Sequence, residues 1–93
     1  MIVAVSRFKC EEQEAESIAA RFRERSRRVD GHDGFLGLEV LRAAGRTPEF
    51  LLLTRWESRD ALKRYLRSDD FRAVHAEGEE QNADFNLYEL VTT

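Results

Sequence analysis

A chain of 93 residues suits one compact domain spanning 1–93 and is short for two, since domains run from about 50 to 250 residues. With 42% hydrophobic and 35% charged residues, five glycines and one proline, the composition excludes collagen-like, low-complexity and wholly disordered chains. The net charge of −3 argues against sequence-blind binding of nucleic acid, and no apolar run approaches the roughly 18 residues of a membrane-spanning helix.

Residues 2–8 read as a strand rich in β-branched side chains, ended by Lys9-Cys10. The opening residues lack a basic segment and an apolar leader, so a cytoplasmic protein is the expectation. Cys10 is the single cysteine, which excludes an internal disulfide. With no CxxC partner and no nearby histidine to activate it, it is expected to be a poor nucleophile.

From Glu11 to about Val29 the period changes to that of a helix, with Ala15, Ile18, Phe22 and Val29 on one face. Four glutamates fill its first turns and five arginines its last, the polarity a helix dipole favours. Asp30-Gly31-His32-Asp33-Gly34 is expected to stop it, with His32 a solvated loop residue. Residues 35–42 and 50–56 read as the second and third strands, joined as a hairpin through a loop holding Gly45 and Pro48. Ser58 is an N-cap for a helix to about Leu66, and Ser68 with Asp69 and Asp70 for another to about Ala76. Residues 77–84 are acidic and irregular, and 85–91 alternate as a closing strand. The order is β-α-β-β-α-β with a broken second helix: an α+β, ferredoxin-like domain whose antiparallel sheet carries helices on one face.

Phe50-Leu51-Leu52-Leu53 is apolar at four consecutive positions, so both faces of the third strand seek burial. Phe35, Leu36, Leu38, Val40 and Leu41 repeat the pattern on the second. The chain's helices cover one face only. A second copy of the sheet, meeting the first face to face in a homodimer, is the expected cover for the other; a large apolar ligand is compatible with it.

Gly34-Phe35-Leu36-Gly37 and Thr54-Arg55-Trp56-Glu57-Ser58, leading into Ala61-Leu62, resemble the antibiotic-biosynthesis monooxygenase domains across essentially the whole chain. The stretch from Tyr65 to His75 is similar to the small bacterial haem-degrading branch of that family. The resemblance implies a dimeric α+β barrel with a pocket between sheet and helices in each subunit. It also implies three site positions in that branch: an asparagine donor near the end of strand one, a tryptophan that distorts the macrocycle, and a histidine that ligates iron. The histidine is matched by His75, whereas Ser6 and Tyr65 stand at the asparagine and tryptophan positions.

Each of the three also has an ordinary structural reading. His75 lies one turn after Phe71 and could be a half-exposed helical histidine rather than an axial ligand. Ser6 shares its strand face with Ile2, Ala4 and Phe8, and its hydroxyl could donate to a substrate or bond nearby backbone. Tyr65 could hold a substrate ring or pack with Leu62 and Leu66, and Trp56 belongs with the core. Arginines of the first helix could meet acidic groups of a ligand or form a solvated face.

Three functions fit these residues. One is a monooxygenase that binds haem as both substrate and cofactor, with His75 proximal and Ser6 distal. Another is a cofactor-free oxygenase of a phenol, quinol or polyketide-type aromatic, joining molecular oxygen to a small hydrophobic substrate. The third is a non-enzymatic dimeric binding module.

Overall fold

The computed structural model describes residues 1–76 and 84–93, the last four residues of the first stretch by their backbone alone. The expected irregular segment 77–83 lies outside the described residues. Strands β1 (Ile2–Lys9), β2 (Phe35–Arg42), β3 (Glu49–Trp56) and β4 (Asp84–Glu89) form one sheet in the order β2-β3-β1-β4. Every neighbouring pair is antiparallel. Helices α1 (Ala15–Arg23), α2 (Arg59–Leu66) and α3 (Asp69–Ala76) complete the α+β, ferredoxin-like domain. No helix among the described residues is long and apolar enough to cross a membrane.

Register sorts the strands into two faces. Ile2, Ala4, Ser6 and Phe8 pair with Trp56, Thr54, Leu52 and Phe50 on the helix-covered face. Two clusters fill that face. Trp56 and Tyr65 anchor one with Ile2, Ala4, Val29, Ala61 and Leu62. The other joins Phe8 and Phe50 to Ala15 and Ala19, with the three rings of Phe8, Phe22 and Phe50 all in contact. On the opposite face Val5 pairs with Leu53, Arg7 with Leu51, and Val3 with both Arg55 and Tyr88. This face mixes apolar side chains with the ion pairs Arg7–Asp84 and Arg55–Glu39. The two-sided character of β3 is therefore real at the level of register.

The caps form as expected. Ser58 Oγ accepts from the Ala61 N–H at 3.2 Å, and Ser68 Oγ from the Phe71 N–H at 3.1 Å. The closing strand runs 84–89, shorter at its end than expected.

The first helix departs from expectation. It ends at Arg23 rather than near Val29, and Val29 is buried from a separate 3-10 turn at 28–31. After Phe22 no apolar residue continues the stripe until Val29, so another turn of helix would have no face to bury. Arg21–Arg25 and Arg23–Arg27 would also stand as like charges four residues apart on a longer helix. Arg27 instead takes a left-handed conformation (φ 61°), and Arg25 turns to Asp30 at 3.1 Å. Arg25, Arg27 and Arg28 are therefore not last-turn residues of a helix.

Gly34 carries the connection into β2. Its φ of +81° is the region glycine favours, and a Cβ there would collide with the Ala61 Cβ of α2. Its carbonyl accepts the Glu57 N–H at 2.8 Å, pinning the turn to the end of β3.

Candidate functional site

Ser6 is the one polar residue among the buried positions of the described core, 7% exposed. In register it stands between Leu52 of β3 and Phe85 of β4, one pair along from Leu87 beside Ala4. Phe85 and Leu87 share this face yet remain 49% and 42% exposed, so the β1–β4 side is apolar and incompletely covered. Among the described residues the Ser6 hydroxyl has no hydrogen-bond partner, and none of their side-chain oxygens or nitrogens is both unpartnered and sealed from solvent. It must therefore open onto accessible space. A short-stemmed donor and acceptor on an apolar floor can orient one polar atom of a flat ligand, directly or through water.

Tyr65, from α2, lies on the same side of the sheet, in the cluster with Trp56, Ile2 and Ala4. Its ring stacks on Trp56 at 5.3 Å between centroids and meets Phe71 edge-on at 5.5 Å. The structure thus places Ser6 and Tyr65 on one side of the sheet. Tyr65 joins the core cluster rather than standing clear of it. Trp56 is wholly buried, with its Nε1–H donated to the Thr54 hydroxyl at 2.9 Å, and belongs to the core as expected. The backbone of His75 falls in α3, and its side chain lies outside the described residues.

His32 corrects the sequence reading. Its side chain is 23% exposed, not solvated, and its Nε2 meets Asp70 Oδ2 at 2.9 Å. Its ring stands edge-on to Tyr65 at 4.9 Å. Arg28 adds a second donor to Asp70 at 3.4 Å. The hydrogen bond from His32 is the main cause holding the Asp70 carboxyl below its usual pKa; burial opposes it and Arg28 reinforces it. No local motif signals a pair 38 residues apart, and the flanking aspartates and glycines of His32 suggest a wet loop.

Cys10 is half-buried beside the Phe8–Phe50 cluster. Burial is the largest influence pushing its thiol up, with Glu14 and Glu11 adding to it against Arg42. A thiol so placed is not activated. Among the described residues no group of His, Cys, Asp and Glu could hold a metal ion.

Comparison with known proteins adds relatives to this geometry. Residues 1–77 match the family described as antibiotic biosynthesis monooxygenase. A haem-degrading monooxygenase of Halalkalibacterium halodurans is 31% identical over 81 residues, covering 85% of this chain and 69% of the relative. Among solved structures, the haem degrader MhuD of Mycobacterium tuberculosis, with two haems bound in its active site, superposes with a TM-score of 0.82 at 24% identity. That match covers 100% of this chain and 98% of MhuD. SnoaB of Streptomyces nogalater, a cofactor-independent oxygenase, gives 0.75 at 23% identity, covering 99% and 94%.

Proposed function

The chain belongs to the antibiotic biosynthesis monooxygenase family, and we propose that it is an oxygenase that lays a flat hydrophobic aromatic substrate against the β1–β4 side of its helix-covered face. The observation that carries this reading is the Ser6 hydroxyl, without a partner among the described residues and open to accessible space beside Phe85 and Leu87. A serine serving only the fold would bond nearby backbone.

Haem is the favoured substrate, serving also as its own cofactor, and the haem-degrading relative from Halalkalibacterium halodurans supports this choice. The apolar floor and its single hydroxyl fit a macrocycle that needs broad apolar contact and one polar group on one side. When bound, haem supplies the oxygen and one-electron chemistry. The chain's part is to bind and orient: His75 would ligate the iron, Ser6 would donate a hydrogen bond to the bound group, and Tyr65 would wall the site. A cofactor-free oxygenation of a phenol or quinol is the second reading. The observation favouring it is that Tyr65 is stacked into the core, where it exerts little pressure on a macrocycle.

In both readings the protein works as a homodimer whose sheets pack through Val5, Leu51 and Leu53. The support is a half-apolar outer face that the chain's helices leave uncovered.

Haemin titration tests the first reading. The wild type is expected to show a shifted Soret band at a defined stoichiometry, and His75→Ala to lose the histidine-ligated spectrum while keeping its fold. An unchanged spectrum in His75→Ala overturns the ligand assignment. No Soret shift in the wild type, with oxygen uptake driven by a phenol or quinol alone, moves the assignment to the second reading.

A further inference from the structure

Three elements meet at His32. The 3-10 turn at 28–31 delivers it, α3 supplies Asp70 on its first turn, and α2 supplies Tyr65. An ionised carboxylate can only accept, so the proton between them sits on His32 Nε2. That bond fixes the plane of the imidazole, and the ring edge then closes on one side of Tyr65 at 4.9 Å while Trp56 stacks at 5.3 Å. Ser68 completes the joint: its hydroxyl donates to the Tyr65 carbonyl at 2.6 Å and accepts from Phe71, linking the end of α2 to the start of α3. Each of these contacts limits the freedom of Tyr65, and the His32–Asp70 bond joins the packing of Val29 in tying it to the segment between α1 and β2.

We propose that His32, oriented by Asp70, is a positioning residue for the substrate site: it sets the Tyr65 ring and the first turn of α3 relative to each other. This rests on the reading that Tyr65 walls the site and α3 carries the haem ligand. His32 does not touch substrate; it acts through Tyr65 and through Asp70.

Three variants separate its parts. His32→Ala removes both ring and bond, His32→Phe keeps a ring against Tyr65 without the bond, and Asp70→Asn keeps an acceptor without the charge. The ligand-free protein is read by near-ultraviolet circular dichroism, which reports the stack of Tyr65 on the single tryptophan. The haemin-loaded protein is read by Soret maximum and half-saturation, and urea midpoints record stability separately. His32→Ala and His32→Phe should both lose near-ultraviolet signal, shift the Soret maximum and weaken haemin binding by about tenfold. Asp70→Asn should stay close to wild type in near-ultraviolet signal, Soret maximum and haemin binding.

Wild-type circular dichroism and haemin binding in both His32 variants, whatever their urea midpoints, overturn the proposal, since the pair is then structural only. If the wild type itself binds no haemin, the haem reading fails on its own. The ligand-free spectra still decide whether His32 sets Tyr65.

Discussion

At the scale of single residues, Gly34 and Asp70 show how local chemistry fixes the site's surroundings. A Cβ on Gly34 meets both an unfavourable φ and the Ala61 methyl, so Gly34→Ala should destabilise by roughly 2–4 kcal/mol, read from urea unfolding. A wild-type midpoint would show that the turn relaxes freely. Asp70 has a folded pKa below its unfolded value, chiefly through His32. The stability it contributes is therefore present above about pH 4 and lost as pH falls through the lower folded value. Thermal midpoints of wild type and Asp70→Asn should differ at neutral pH and converge in acid; a constant difference down to pH 2 would contradict the linkage. Features set within a few positions were legible in the sequence: Ser58 and Ser68 as caps, the strand face of Ser6 from alternation, Trp56 as core. His32 was not, because its partner Asp70 comes from another element and its neighbours in sequence are those of a turn.

At the scale of elements, β3 carries the argument. Leu52 shares a face with Phe50 and Trp56 and pairs with Ser6 and Val40, while Leu53 lies on the other face beside Val5 and Glu39. Leu52→Glu should cost on the order of 3 kcal/mol by placing a charge among apolar neighbours, seen as a loss of the folding transition at moderate urea. Leu53→Glu should leave the isolated subunit folded. Equal effects on folding would show that the register does not sort the two faces as described. Strand periodicity was visible in sequence because alternation needs only neighbours a few residues apart. The end of α1 was not: a spacing of seven from Phe22 to Val29 suits a helical face, and only packing shows Val29 filling the Trp56–Tyr65 cluster from a separate turn.

At the scale of the whole molecule, one sheet with helices on one side leaves Val3, Val5, Leu51 and Leu53 on the other. Burying such side chains contributes about 1.5–3 kcal/mol each, enough to hold two copies together. Light scattering at micromolar concentration should give about twice the 10.8 kDa chain mass for the wild type and the chain mass for Leu53→Glu. A wild-type monomer would remove the face-to-face dimer. The central claim concerns the opposite face, where Ser6 opens onto an apolar floor. It is tested most directly by the ascorbate-driven decay of the Soret band at saturating haemin in the wild type, Ser6→Ala and Ser6→Asn. If the hydroxyl is the working donor, decay should be about tenfold slower in Ser6→Ala and faster in Ser6→Asn, whose amide reaches further. Identical decay in all three, at equal haemin occupancy, would contradict it.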